Sequence, residues 1–180
     1  MTDSTTARPP GLRFEIVLQD PDWPVSVVDL RFLNRIGDVI GKFVDIDTSM
    51  LAVVAFSSDA HVRTLNKQYR GKDKATNVLS FPAAVPVASY GEAESDENDL
   101  IGDIVLAHET VALEARAQSC DPVQATEHHT AHLIVHGILH LLGYDHDDRQ
   151  SAEEMEALEV GILAGLGVAN PFTEELDDVE

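Results

Sequence analysis

Histidine is the residue type whose placement in this chain points most directly to chemistry. Six of the eight histidines lie within the nineteen residues from 128 to 146. His136 and His140 are four positions apart, and on a helix two such residues lie about 6 Å apart along the axis. Both imidazoles can then bind a single ion at about 2.0–2.1 Å. Because such pairs are often incidental, the spacing alone only suggests a metal site.

A third imidazole makes a metal site the better interpretation. His146 follows Gly143 by three residues, and a chain reversal at Gly143 and Tyr144 would bring it back to the pair. Three neutral imidazoles leave a fourth position for water, which is typical of catalytic rather than structural zinc sites. Zinc also makes its bound water acidic enough to supply hydroxide near neutral pH. We therefore predict one Zn²⁺ ion bound by His136, His140, His146 and water, although three imidazoles also accept nickel, copper or cobalt.

The other histidines are expected to have structural roles. His132 extends the same stripe but lies about two helical turns from His140, so we expect it to pack in the helix interface or to orient a ligand. We expect His128 and His129 to face solvent. His61 and His108 have no partner at a ligand spacing, and we assign them structural roles.

The first two metal ligands are predicted to lie on a long helix. Asp121 can cap its first turn, Pro122 suits that turn, and Gln124 follows three residues after the cap. Gly143 is placed to end the helix in a left-handed turn. At about 100° per residue, seven apolar side chains fall within an arc of roughly 160°, opposite to the two histidines. This arc is predicted to face the core and comprises Ala131, Ile134, Val135, Ile138, Leu139, Leu141 and Leu142.

The histidine motif differs from that of the zinc peptidases. Those enzymes place a glutamate directly after the first histidine as general base, H-E-x-x-H, whereas Gly137 occupies that position here. The sequence also lacks the G-x-S-x-G, Walker and G-x-G-x-x-G motifs of other enzyme classes. The familiar peptidase machinery is therefore missing.

A basic segment is the natural partner of such a metal. Five of the twelve lysines and arginines lie within the twelve residues from 63 to 74. Arginine can hold a phosphate with two hydrogen bonds, and a metal with a nearby cation can share the charge that develops during phosphoryl transfer. We predict that this segment binds a phosphate-containing substrate, with a solvated helix end as the alternative. Its cations are Arg63, Lys67, Arg70, Lys72 and Lys74.

The overall charge limits how nucleic acid could bind. The formal net charge is −20 at pH 7, which argues against an extended phosphate-binding surface. Ten of the twelve Lys and Arg lie in residues 1–90, and 22 of the 32 acids lie in residues 91–180. The local basic segment is the exception, since contacts at short range are little affected by screening. The acidic stretches point away from a bound anion, contact a basic partner or only add solubility.

Cysteine usage and hydropathy favour a cytoplasmic protein. A single cysteine, Cys120, forms no intrachain disulfide and is typical of a reducing compartment. No apolar stretch approaches the ~18–20 residues of a membrane span, and the polar first ten residues do not resemble a secretory signal. We expect cytoplasmic localisation and no membrane partner.

Patterns of apolar residues and caps predict the elements that position these residues. Four strands are predicted, at 13–18, 50–56, 77–81 and 100–106. Helices are predicted at 27–42, 59–69 and 109–118, ahead of the histidine helix. Strand and helix alternation followed by helices favours a small sheet covered by helices, α+β or α/β.

The same patterns predict the domain organisation. Residues 13–167 form one catalytic, metal-binding domain in this interpretation. Residues 1–12 are expected to be a disordered tail, 83–99 an inserted acidic loop and 168–180 an acidic C-terminal tail.

Three segments resemble one known family. Residues 136–146 read H-G-I-L-H-L-L-G-Y-D-H, which resembles the highly specific signature of the YbeY endoribonucleases, the bacterial rRNA maturation factors. Residues 65–73 with 76–82 resemble a second block, and Gly102-Asp103-Ile104 resembles the family's Gly-Asp strand. The resemblance extends in order over roughly residues 14–166. Ala75 departs from the pattern, since the family commonly has proline there.

The resemblance implies a fold, an activity and partners. The fold would be α+β, with a small mixed four-stranded sheet covered by about five helices and a zincin-like metal helix. The activity would be that of a single-strand-specific, metal-dependent endoribonuclease. Such enzymes act in ribosomal RNA processing, notably at the 3′ end of small-subunit rRNA, and in ribosome quality control. The implied partners are single-stranded RNA, ribosomal RNA, and the small ribosomal subunit with its proteins.

The resemblance also assigns residues. It places zinc on His136, His140 and His146, and it makes Arg70 the arginine that holds the scissile phosphate. Asp103 and Asp145 are candidates for orienting an imidazole or for proton transfer, and Asp145 could equally cap its turn. We therefore take Arg70, Asp103 and Asp145 as the candidate catalytic residues. The sequence does not decide whether water or the RNA 2′-hydroxyl attacks.

Two other functions stay open at this point. One is a metal-dependent hydrolase that acts on peptides or small phosphoesters. The other is a non-enzymatic ribosome assembly factor in which zinc has only a structural role, which would require a fourth protein ligand in place of water.

Overall fold

The structure is a computed structural model and describes residues 9–83, 99–118 and 121–172. It contains four strands: β1 (Gly11–Leu18), β2 (Ser49–Ser57), β3 (Val78–Pro82) and β4 (Leu100–Ala107). Its five helices are α1 (Leu30–Ile40), α2 (Asp59–Arg70), α3 (His108–Gln118), α4 (Pro122–Leu141) and α5 (Arg149–Leu166).

The four strands form one mixed sheet in the order β1-β2-β4-β3. β1, β2 and β4 run parallel, and β3 pairs antiparallel with β4. β2 is almost entirely buried, as a parallel strand covered on both faces should be. The α+β class, the mixed four-stranded sheet and the five helices are therefore confirmed.

Helices cover both faces of the sheet. On one face, side chains of β2 and β4 such as Phe56, Ile104 and Leu106 pack in one core cluster with α1, α4 and α5. On the other face, Val105 and Ala107 pack with Val62 and Leu65 of α2. The two faces of β4 therefore contact different helices. Only side chains on the face that contacts α4 can approach the histidines.

Local signals explain most helix ends. Ser58 caps α2, and Gly71 ends it in a left-handed conformation with φ of 67°. α1 begins only at Leu30 because the Asp29 side chain caps it, so the helix predicted at 27–42 is shorter than expected. Val27 is fully buried in the turn that precedes the cap, which explains why its pattern resembled a helical one.

The predicted tails and loop fall partly on described residues. β1 begins at Gly11, so the predicted tail 1–12 overlaps the sheet, and its residues 1–8 lie outside the described residues. The loop predicted at 83–99 is described only at its two ends, where the Asp99 carboxylate accepts a hydrogen bond from Arg13. Of the tail predicted at 168–180, residues 173–180 lie outside the described part. No helix among the described residues is long and apolar enough to cross a membrane.

Candidate metal centre

α4 carries the first two histidines and packs against β3, β4 and the helices α1, α3 and α5. A Cβ atom on Gly137 would lie 3.0 Å from Ile104 Cδ1 and 3.0 Å from Ser80 Oγ. The helix therefore approaches β3 and β4 closely because residue 137 has no side chain. A side chain here, such as the glutamate of the zinc peptidases, would require Ile104 and Ser80 to move.

The packing of α4 is broader than the predicted arc. Ala131, Ile134, Val135, Ile138 and Leu139 are buried as expected, whereas Leu141 and Leu142 are only partly buried. Leu133 and Thr130 are buried although they were not assigned to the core. The additional burial arises because α3 and α5 also pack on α4.

The structure brings the three predicted ligands together. The Nε2 atoms of His136 and His140 lie 3.0 Å apart. The ring centroid of His146 lies 5.1 Å from that of His140 and 6.0 Å from that of His136. One ligand nitrogen from each residue lies within 4.8 Å of the others, so the group could hold a metal ion.

The turn after α4 returns His146 to the helix. Gly143 has φ of 94°, a conformation that favours glycine. The Tyr144 amide donates to the Leu139 carbonyl at 3.0 Å, and the His146 amide donates to Asp145 Oδ1 at 2.7 Å. These contacts set the chain reversal that the sequence predicted at Gly143 and Tyr144.

Hydrogen-bond partners decide which nitrogen of each ring faces the site. The Tyr144 carbonyl can only accept, so His140 Nδ1, 3.0 Å away, carries the proton. His136 Nδ1 lies 2.8 Å from Oε1 of Glu159, whose side chain is 3% exposed, and it donates to that carboxylate. In the neutral rings the two Nε2 atoms are then both acceptors.

Two acceptor nitrogens 3.0 Å apart repel each other unless a cation lies between them. Nitrogens bound tetrahedrally to one ion at about 2.0–2.1 Å lie about 3.3 Å apart, close to the observed separation. The Nδ1 partners also hold the rings as outer partners hold metal-ligating histidines in general. The donor set therefore fits a divalent metal that accepts imidazole.

Burial favours the neutral form of the His140 ring. Burial and the neighbouring His136 lower the pKa of His140. A neutral imidazole is the form that binds a metal. His140 therefore presents its lone pair at neutral pH.

A cleft of about 440 Å³, here called the histidine cleft, opens at the C-terminal end of α4. It is lined by His136, His140 and His146 together with Arg70, Tyr144, Asp145 and residues of β3. Arg70 is exposed at the last position of α2. Among the described residues no carboxylate pairs with Arg70, and it is the one cation among them that lines the histidine cleft.

The other four predicted cations do not line the histidine cleft. Arg63 and Lys67 bind Asp73 at 2.7 and 2.9 Å, and both cations lower the pKa of Asp73 to about 2. Lys74 lines a different depression together with Arg63, and Lys72 is exposed. The predicted substrate-binding set of Arg63, Lys67, Arg70, Lys72 and Lys74 therefore shrinks to Arg70 at the histidines.

The two predicted aspartates have different positions. Asp145 lines the histidine cleft, and its Oδ1 accepts from the His146 amide, so it does cap the turn. Asp103 pairs in register with Phe81 and therefore points to the α2 face of the sheet, away from α4. Burial raises the pKa of Asp103 to about 6. The expected orienting role of Asp103 is wrong, since alternation along β4 places it behind the sheet.

Glu159 orients the His136 ring, the role that was expected of Asp103. It lies on α5, is 2% exposed, and contacts His136 at 2.8 Å and His132 at 3.9 Å. The sequence signal was present, because Glu159 falls between Met155 and Ile162 on the buried stripe of α5. An acid on the apolar face of a helix predicts a buried partner.

His129 corrects another expectation. It is 6% exposed, its Nε2 lies 2.7 Å from Glu114 Oε2, and its Nδ1 accepts from Gln118 at 3.2 Å. The expectation that it faces solvent is wrong because α3 packs against this side of α4. His132 is largely buried near Glu159, where burial lowers its pKa.

Fold and site together define a class: an α+β protein whose central helix and following turn carry three histidines that could hold a metal ion. A family model described as endoribonuclease YbeY matches residues 26–167. The chain belongs to the endoribonuclease YbeY family, as the resemblance of its motifs indicated.

Individual relatives agree with this assignment. A protein named endoribonuclease YbeY from Bradyrhizobium diazoefficiens is 46% identical over 161 residues, which cover 89% of this chain and 85% of the relative. One of the same name from Azorhizobium caulinodans is 49% identical over 170 residues, covering 89% of this chain and 96% of the relative. The solution structure of TM1509 from Thermotoga maritima is similar in fold, with a TM-score of 0.50 at 21% identity, covering 94% of this chain and 99% of that one.

Proposed function

We propose that this protein is a zinc-dependent endoribonuclease that cleaves single-stranded RNA during ribosomal RNA processing in the cytoplasm. Its substrates would include the 3′ end of small-subunit rRNA, and it would act in ribosome quality control on the small subunit and its proteins. The observation that carries the proposal is the pair of acceptor nitrogens of His136 and His140 in a cleft that Arg70 also lines, a cation with no carboxylate partner among the described residues. The names of the relatives support RNA as the substrate.

In this proposal, separate residues bind the metal, orient its ligands and bind the phosphate. His136, His140 and His146 hold the ion, with Glu159 and the Tyr144 carbonyl orienting the first two rings. When bound, a divalent ion supplies Lewis acidity at a phosphate oxygen and lowers the pKa of water. Arg70 binds the scissile phosphate and offsets its charge as that charge grows in the transition state.

Asp145 is the proposed proton acceptor. Among the described residues that line the histidine cleft it is the one carboxylate, and its side chain is 53% exposed. Its Oδ1 is engaged by the His146 amide, which leaves Oδ2 to accept a proton from the nucleophile. A product with a 2′,3′-cyclic phosphate would identify the RNA 2′-hydroxyl as that nucleophile, and a linear phosphate without a cyclic precursor would identify water.

Cleavage of single-stranded RNA by zinc-loaded and by chelated protein tests the proposal directly. The chelated protein and the His136→Ala variant should both lose activity because both lose the ion. Undiminished cleavage by either would refute the metal-dependent nuclease.

Arg70→Ala tests the phosphate role separately. We expect cleavage to fall by about 10²–10³-fold, the range for loss of one transition-state donor, while bound zinc per chain stays at the wild-type value. Arg63→Ala is the matched control, since its guanidinium pairs with Asp73 outside the cleft, and it should cleave as the wild type does. Equal cleavage by the Arg70 variant would remove Arg70 from the site.

A further inference from the structure

A second pocket lies beside the histidines and extends in the opposite direction along α4. It has a volume of about 300 Å³ and shares Val78, His136 and His146 with the histidine cleft. From there it reaches His132 and Leu133 in the preceding turns of α4, and Met155 on α5. We call this the α4–α5 pocket. Its size is at the lower end of the range for sites that bind small molecules.

The partly exposed aromatic ring of Phe172 lines this pocket. Phe172 is 38% exposed, and its ring lies edge-on to that of His132 with centroids 6.0 Å apart. The Phe172 amide donates to Asn170 Oδ1 at 2.9 Å, which holds the turn that carries the ring. Apolar walls with an accessible aromatic ring suit a planar, apolar ligand such as a nucleobase.

The charge of the pocket disfavours a phosphate as its occupant. Glu156 and Glu159 line it, and no lysine or arginine does so among the described residues. An anion would be repelled there, whereas Arg70 attracts one in the histidine cleft. A ligand that spans both spaces must therefore place its phosphate by Arg70 and an uncharged part in the α4–α5 pocket.

One polar side chain in the pocket is available for the edge of a base. His132 is 19% exposed, and its Nε2 lies 3.9 Å from Glu159, which is too far for a hydrogen bond. Asn77, by contrast, already donates to Glu114 and accepts from the Val78 amide. The imidazole of His132 can exchange hydrogen bonds with a base, and it belongs to no ligand group of the metal centre.

We propose that the α4–α5 pocket binds one nucleobase of the RNA strand, stacked on Phe172, while the neighbouring phosphate lies at the histidines. The proposal rests on the proposed endoribonuclease function. His132 and His136 are one helical turn apart, about 6 Å along the axis, similar to the distance between phosphate and base within one nucleotide. Phe172 and His132 are positioning residues in this arrangement, and RNA affinity depends on them.

Short single-stranded RNAs that carry 2-aminopurine at one position test this pocket. The emission of 2-aminopurine falls when it stacks, and stopped-flow mixing with zinc-loaded protein records this before cleavage. We expect quenching for at least one labelled position with the wild type. Phe172→Ala should lose most of this quenching and bind RNA roughly tenfold to a hundredfold more weakly.

Two variants serve as controls. Phe172→Tyr keeps an aromatic ring and should behave as the wild type. Leu113→Ala removes another exposed apolar side chain, 70% exposed on α3, and should also leave RNA binding unchanged.

Cleavage of the same RNAs, followed on gels, separates this proposal from the nuclease function. If the RNA is cleaved but no labelled position is quenched, the proposed base pocket is refuted and the nuclease function stands. The same holds if the RNA is cleaved and Phe172→Ala shows the quenching and RNA affinity of the wild type. Quenching that depends on Phe172 without any cleavage supports the pocket and refutes the nuclease.

Discussion

Replacing Glu159 by glutamine should weaken zinc binding without weakening the metal-free fold. Glu159 Oε1 accepts from His136 Nδ1 at 2.8 Å in a nearly water-free position. Glutamine keeps the shape and one acceptor oxygen but removes the negative charge that raises the basicity of the ligand. Loss of such an outer partner typically costs 10–100-fold in metal affinity, and we expect about tenfold for Glu159→Gln because the hydrogen bond persists.

Weaker zinc binding should also lower the Tm, because zinc binds the folded state and so stabilises it. At a zinc concentration of about 100 times Kd, the metal adds about 2.7 kcal/mol to the free energy of unfolding. A tenfold weaker site at the same concentration adds about 1.4 kcal/mol. For a chain of this size the difference corresponds to a Tm lower by about 3–5 °C in zinc. The chelated variant should be at least as stable as the chelated wild type, since a buried charge has been removed.

Competition against a chromophoric zinc chelator measures the affinity, and thermal unfolding with and without chelator measures the linkage. Glu154→Gln is the matched control, because Glu154 lies exposed on the same helix and accepts a hydrogen bond from Gln150 at 3.1 Å. Wild-type zinc affinity in Glu159→Gln would refute the orienting role of Glu159. A Tm that falls equally in chelator would show that the effect is on the fold and not on the metal.

Two further substitutions test the packing of the site and of the sheet. Gly137→Ala places a Cβ 3.0 Å from Ile104 and Ser80 and should lower the free energy of unfolding in urea by about 1–3 kcal/mol. Gly41→Ala is the control, because its Cβ would meet nothing nearer than 3.5 Å. Equal stabilities of the two variants would mean that the sheet adjusts to the extra methyl group without cost. Asp103→Asn should stabilise the protein at pH 7.5 and not at pH 3.5. The pKa of Asp103 rises from 3.8 to about 6 on folding, so the folded state binds more protons in this interval and wild-type stability falls as pH rises through it. If the stability of Asp103→Asn depends on pH as that of the wild type does, Asp103 is not the source of this pH dependence.

Much of the fold could be predicted because its signals are local. The strand at Ser49–Ser57 follows from an unbroken apolar run, and the start of α2 follows from the Ser58 cap. The start of α1 was predicted three residues early because buried Val27 continues the helical spacing. A spacing pattern records which side chains are buried, and it does not record the backbone hydrogen bonds that begin a helix.

The convergence of the three candidate metal ligands was determined by the sequence alone, since a helical spacing of four and a glycine turn are local properties of the chain. His136, His140 and His146 converge as that pattern predicts. The surroundings of these ligands were decided only by tertiary structure. Glu159 reaches His136 because α5 packs on α4, and Asp103 is excluded because alternation along β4 turns it to the other face. Contacts between distant segments depend on which faces of helices and strands pack together, and this is a property of the whole fold.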